Sequence, residues 1–213
     1  MSRSGGVEAV VFDLGNVLID FDHTIAARRI SCFTDKTADE IYQLFFDSPI
    51  TGQFEEGKIS PPDFFAAVKR MLDARLSYEE FLSVWNEIFL FTDTNKRVYE
   101  IAKKLRSRYT VVLLSNVNRL HWEYIKKTFP IYDAFHHLFA SFEVGARKPS
   151  PVIYSAVLSA LHLPAEKVFY TDDRADLIER ACSLGFQGFV FKGPRQLLKD
   201  FARVGIQGFP DGE

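Results

Sequence analysis

The chain has 213 residues, 47 % of them hydrophobic, and a formal net charge of −2. That is enough apolar material for one large domain, or for one domain carrying a smaller one, and the balanced charge without a basic cluster leaves no footprint for nucleic acid. No apolar run approaches the ~20 residues of a membrane span, and the opening "MSRSGGVEAV" has no signal-like apolar stretch, so a soluble, cytoplasmic protein with small-molecule or protein partners is expected.

The first predicted element is the strand "VEAVVFD", which ends on Asp13, with Gly15 two places later. Helices dominate the next stretch. "HTIAARRISCF" reads as one, and "TADEIYQLFF" opens with Thr37 and Glu40 spaced as a capping box. "SPPDFFAAVKRML" offers Ser60 as N-cap and Pro61 at the first helical position, and "SYEEFLSVWNEIF" repeats the capping box with Ser77 and Glu80. Four helices and no strand are thus predicted between residues 22 and 90. The segment "TGQFEEGKIS" reads as a mobile turn allowed by Gly52 and Gly57, from which Gln53, Phe54 or Glu55 could reach a substrate. The Phe pairs at 45–46 and 64–65 are expected in core or interface packing.

From about residue 95 helices and strands alternate. The helix "NKRVYEIAKKLRSRY" precedes "TVVLLSN", a β-branched run suited to a strand buried on both faces. A short strand-like run, "LFASF", is followed by the helix "SPVIYSAVLSAL", the strand "KVFYTDD", the helix "ADLIERACSLG" closed by Gly185, the strand "GFVFK" and the helix "PRQLLKDFA". The tail "GIQGFPDGE" is expected to fray. Cys32 and Cys182 fall within helical patterns and are expected as reduced core thiols.

Strands separated by helices of about ten residues imply parallel βαβ units. The fold class is therefore α/β: a doubly wound, Rossmann-like parallel sheet core formed by 1–18 and 93–213, with an all-helical cap inserted over 19–92. In such sheets ligands bind beyond the carboxyl ends of the strands. Polar residues cluster there: Asp13 after the first strand, Ser115 and Asn116 after "VVLL", Asp172 and Asp173 after "VFYT", and Lys148 just before a helix start. Each alone could be a turn former or cap; together they set carboxylates, a hydroxyl and an ammonium on one sheet edge.

This ordered series resembles the four motifs of the haloacid dehalogenase-like hydrolase superfamily. "FDLGNVLIDFD", "LLSNVNRLH" and "ARKPSPVIY" look most similar to its bacterial sugar-phosphate phosphatases of the glucose-1-phosphate type, and to the phosphatase domain fused to epoxide hydrolases. The resemblance covers nearly the whole chain. It implies a phosphatase in which Asp13 is the nucleophile and forms an aspartyl-phosphate, Ser115 donates to a phosphate oxygen and Lys148 neutralises charge. It implies Mg²⁺ as cofactor, held by Asp13, the Gly15 carbonyl and Asp173, with Asp172 bound through water or placed behind the other ligands. Asp176 is either a further outer acid or a partner of the helix dipole. Asn116, Arg119 and Gln53 are candidates for substrate binding, and the substrate is expected to be a small phosphorylated metabolite handled by a monomer or homodimer.

Gly15 departs from the pattern of most of that superfamily, which carries there an aspartate that protonates the leaving oxygen, although the subgroup the chain resembles also has glycine. Glycine keeps the carbonyl and loses the acid–base group, typically worth ~10²–10⁴-fold. Asp20, Asp22 and His23 are possible replacements, with a solvated turn as their plainer role. Two rival functions stand beside the phosphatase. One is a metal-independent 2-haloacid dehalogenase, against which "TDD" argues; the other is a binding protein that kept the fold without turnover. His136 and His137 lack metal-ligand spacing and are expected in packing or loop roles.

Overall fold

The computed structural model describes residues 6–45 and 48–209. Strand β1 (Ala9–Phe12) leads into the two-residue strand β2 (Asp20–Phe21) and five helices: α1 (His23–Ile30), α2 (Ala38–Phe45), α3 (Pro49–Glu55), α4 (Pro61–Leu72) and α5 (Tyr78–Asn86). Strand β3 (Phe89–Leu90) returns antiparallel to β2. There follow α6 (Asp93–Leu105), β4 (Thr110–Ser115), α7 (Arg119–Thr128), β5 (His137–Ala140), the single turn α8 (Ser141–Val144) and α9 (Pro151–Leu161). The chain closes with β6 (Val168–Asp172), α10 (Ala175–Ser183), β7 (Gln187–Val190) and α11 (Pro194–Arg203).

The five main strands form a parallel sheet in the order β5-β4-β1-β6-β7. This is the expected doubly wound α/β core, with β1 at the centre, where the strand order reverses. Alternation along β1 sorts its side chains by face. Val10 and Phe12 pack with Leu113 and Phe169 against residues of α6, α7 and α11, while Ala9 and Val11 pack with Val112, Leu114 and Tyr170 against α9 and α10. Phe12 stands level with Leu113 on β4 and Thr171 on β6, so the residues just beyond emerge side by side.

A separate apolar cluster lies within the inserted helices, built on Ile30, Phe54, Phe64, Phe81 and Trp85. Phe54 and Phe64 stack with ring centroids 4.0 Å apart. Phe64 thus packs as expected; Phe46 and the side chain of Phe45 lie outside the described residues, as do residues 210–213 of the tail. The predicted N-termini hold: Thr37 and Glu40 bond reciprocally, Ser60 caps α4, and Ser77 with Glu80 forms a complete capping box.

Four sequence expectations change. The region contains a fifth helix, α3, where a mobile turn was expected. Ser48 caps it and Pro49 occupies its first turn, and Gly52 sits inside it. The glycines of this segment serve close approach to the core rather than mobility. A Cβ on Gly52 would meet Arg147 Nη2 at 2.8 Å, and one on Gly57, whose φ is +68°, would overlap the Phe142 carbonyl oxygen. The β2–β3 ribbon replaces an expected absence of strands, since two-residue strands carry no readable periodicity. Cys32 and Cys182 are exposed free thiols, not core ones: Cys32 falls in the 3₁₀ turn after α1, and Cys182 lies over Gly188 at the edge of α10.

Candidate active site

Asp13 is the first residue beyond β1, and its backbone N–H still donates to Thr171 O at 3.0 Å, continuing the ladder to β6. The carboxylate is therefore fixed at the strand end, 8 % exposed. Lys148 is the partner that the sequence pattern brings to it. Its Nζ donates to Asp13 Oδ1 at 2.8 Å, to Asp172 Oδ2 at 2.7 Å and to Leu114 O at 3.2 Å. The Asn116 amide clamps the lysine backbone from both sides, accepting from Lys148 N at 2.8 Å and donating to Lys148 O at 2.9 Å.

The charges in this group shift one another. Burial is the largest influence on Asp13 and raises its pKa to about 7, against the opposing pull of Lys148. Burial also disfavours the Lys148 ammonium, but the two carboxylates outweigh it, so the lysine stays firmly charged. Asp172, although wholly buried, ends below its ordinary range because Lys148, Tyr170 and the Arg174 N–H all bond its oxygens. Asp173 is raised, chiefly by burial, while Asn16 Nδ2 holds its Oδ2 at 2.9 Å.

Oxygens of Asp13, Asp172 and Asp173 lie within 4.8 Å of one another. Three carboxylates against one ammonium leave a deficit of two positive charges, and the donors are all hard oxygens, so the group fits a Mg²⁺ ion. Asp172 spends its oxygens on Lys148, Tyr170 and Arg174, which favours the position behind the ligands over direct coordination. Asp176 pairs with the Arg174 side chain at 2.7 Å on the surface, in the first turn of α10.

A cleft of about 440 Å³ opens over Asp13 and Lys148, walled by Ser48, Thr51, Gly52, Glu55, Asn116, Arg147 and Arg174 together with a few apolar groups, among them Phe21. It adjoins a cavity of about 70 Å³ bounded by Gly15, Phe21, His23, Glu55, Ser115 and Asn116. Ser115 is 3 % exposed and borders that smaller space. Gln53 is not brought to the cleft: on α3 the residues Thr51, Gly52 and Glu55 share the inward face, and Gln53, 100° or more away, is exposed. Nor is Arg119, which is exposed at the start of α7 with its guanidinium 4.9 Å from the Phe142 ring centroid. Asp20 and Asp22 are structural: Asp20 accepts from the buried Asn95 at 3.0 Å, and Asp22 caps α1 through Thr24 N at 2.8 Å. His136 Nδ1 accepts from Val111 N, a packing role as expected.

Sequence reading passed over Asn16, Tyr170, Arg147 and His121. Only Asn16 carried a local signal, since Gly-Asn at a strand end suits the left-handed φ of 54° that it adopts. The others act on partners distant in the chain. His121 Nε2 lies 3.0 Å from Trp85 O and its Nδ1 lies 3.0 Å from Asn118 Nδ2, which bonds α7 to the end of α5.

The chain is similar to known proteins along most of its length. A D-ribitol-5-phosphate phosphatase from Bacteroides thetaiotaomicron is 28 % identical over 189 residues, spanning 86 % of this chain and 91 % of the relative. A sesquiterpene phosphatase from Aspergillus oryzae is 22 % identical over 182 residues, 85 % and 88 % of the two chains. Among solved structures, a HAD family enzyme from Bacteroides thetaiotaomicron in complex with magnesium and inorganic phosphate superposes with a TM-score of 0.78 at 28 % identity, covering 88 % of this chain and 95 % of the other. Residues 7–179, from β1 through the lysine, the acidic pair and most of α10, match the family model of the haloacid dehalogenase-like hydrolases, and the chain belongs to that family.

Proposed function

We propose that the chain is a Mg²⁺-dependent phosphatase of small phosphate monoesters, sugar or polyol phosphates among them, working through an aspartyl-phosphate on Asp13. The observation that carries this reading is the buried Lys148 shared between Asp13 and Asp172 at 2.8 and 2.7 Å, with Asp173 alongside. A metal-independent dehalogenase would have no use for that extra negative charge.

Asp13, Asp173 and the Gly15 carbonyl would hold the metal, with Asp172 behind them; bound Mg²⁺ supplies the positive charge that lets an anionic nucleophile meet a phosphate. Asp13 attacks phosphorus and becomes phosphorylated. Lys148 holds a non-bridging oxygen and is itself aimed by Asp172, Leu114 O and the Asn116 clamp. The Ser115 hydroxyl donates to a second oxygen, and Asn116 borders the leaving group. Residues 19–92 form the cap that sets the leaving-group space, over a core of 1–18 and 93–213. The polar cleft suits a hydroxylated leaving group. No described helix is long and apolar enough to cross a membrane, and we assign a cytoplasmic setting, as a monomer or homodimer, without nucleic-acid or membrane partners.

Hydrolysis of p-nitrophenyl phosphate tests the reading. Release that requires Mg²⁺, stops with EDTA and is lost in Asp13→Asn is expected. Release indifferent to EDTA or to Asp13→Asn would overturn it.

A further inference from the structure

An ester of an ordinary alcohol leaves as an alkoxide unless a proton reaches it, so a phosphatase of such esters needs an acid beside the leaving oxygen. The groups around Asp13 do not supply one. Lys148 is locked as an ammonium between two carboxylates, and Asp172 is 0 % exposed and spent on three donors. Gly15 has no side chain, and the space where one would start is filled by the Phe21 ring, whose edge lies 2.8 Å from the position of a Cβ. His23 packs against that ring at a tilt, 4.9 Å between centroids, and borders the smaller cavity. Burial lowers its pKa to about 4, which leaves it neutral near pH 7.

One carboxyl besides Asp13 lines the cleft, and it lines the smaller cavity beside Gly15 as well: Glu55, the last residue of α3. The core grips it from two sides. Ser141 Oγ donates to its backbone carbonyl at 2.6 Å, and Arg147 Nη1 donates to its Oε2 at 2.9 Å. Arg147 also lies 3.7 Å from Glu56, so one guanidinium serves two carboxylates. We infer that Glu55 is the proton donor to the leaving oxygen, and that Arg147 and Ser141 position it. The inference rests on the phosphatase reading above.

The groups facing Glu55 are Arg147 and Glu56 beside it, Arg174, Asp13 and Lys148 across the cleft, and His23 and His121 in the smaller cavity. Desolvation is the largest influence on Glu55 and raises its pKa despite Arg147, and an arriving phosphate dianion adds like charge that favours the protonated form. In the first step an Asp13 oxygen bonds to phosphorus, the bond from phosphorus to the leaving oxygen breaks, and the Glu55 proton passes to that oxygen. In the second, water attacks the phosphorus of the aspartyl-phosphate, Glu55 takes the water proton, and Asp13 leaves with its original oxygens. One water is consumed and Glu55 ends as it began.

The test compares wild type, Glu55→Gln and Asp13→Asn on two substrates with Mg²⁺: p-nitrophenyl phosphate, whose leaving group needs no proton, and ribitol 5-phosphate, whose leaving group does. The expected result is that Glu55→Gln loses ~10²-fold or more in the first-turnover rate of alcohol release from the alkyl phosphate and keeps the first-turnover burst of p-nitrophenol within about threefold, while the later water step slows on both substrates. The retained burst also shows that the variant is folded. An equal loss in the first turnover of both substrates would overturn the inference in favour of a purely structural latch, and no first-turnover loss on either would overturn it outright. In both cases the loss of all turnover in Asp13→Asn would leave the phosphatase reading standing. Turnover that survives Asp13→Asn would sink that reading and the inference with it.

Discussion

At the scale of single residues, the account turns on Lys148. It is 4 % exposed and is the cation that bonds both Asp13 and Asp172. Removing one partner of a buried charge group strands the others, which typically costs about 3–5 kcal/mol. Lys148→Met is expected to lower the unfolding free energy by about that amount in urea titration without Mg²⁺, and to abolish hydrolysis; an unchanged midpoint would mean that the triad is not formed. His121 gives a pH prediction. With Nδ1 accepting from Asn118 and Nε2–H donating to Trp85 O, the neutral ring satisfies both neighbours. Burial lowers its pKa from 6.5 to about 3. The folded value is depressed, so protonation favours the unfolded chain: the stability is complete above pH 6.5 and is lost as the pH falls toward 3. The expected slope is up to about 1.4 kcal/mol per pH unit for this one proton, and His121→Gln should remove it from stability curves between about pH 6 and pH 4.

At the scale of elements, α3 is where sequence and structure part. The strand ends were legible because β-branched runs stop abruptly at Asp13, Ser115 and Asp172, and a parallel sheet brings such ends together. Lys148 was legible for the same reason, standing just before a helix start. Helix α3 was not, because Gly52 and Gly57 read as breakers, whereas they admit Arg147 and the Phe142 carbonyl. The Glu55–Arg147 pair spans 92 residues, and no local pattern announces it. A loop leaves Gln53 and Glu55 equivalent; the helix turns Glu55 to the cleft and Gln53 to solvent. Gly57→Ala therefore has a definite consequence. A left-handed φ costs an L-residue roughly 1–2 kcal/mol, and the added methyl pushes α3 off Phe142. A drop in melting temperature together with weaker turnover is expected, and a melting temperature equal to wild type would contradict the close seating of α3.

For the molecule as a whole, two apolar units meet over one charged edge. The sheet core and the helical insertion each have their own cluster, joined by the β2–β3 ribbon, by His121 on Trp85 and by α3 on the 141–148 segment. The fold class and the presence of a cap follow from the order of the elements alone. What joins the two units does not, because it consists of side chains meeting across long separations. The two-charge deficit at the joint predicts that Mg²⁺ raises the melting temperature in proportion to ln(1 + [Mg²⁺]/Kd) and that EDTA reverses it, with the effect reduced in Asp173→Asn. An equal rise in that variant would move the metal elsewhere.

The central claim is that Asp13 carries the phosphoryl group. The measurement that tests it most directly is acid-quenched single turnover of excess enzyme with p-nitrophenyl phosphate and Mg²⁺, followed by peptide mass analysis. The account predicts a transient gain of one phosphoryl group on the peptide containing Asp13, absent from Asp13→Asn. Rapid product release with no such adduct at any quench time, or an adduct on another residue, would contradict it.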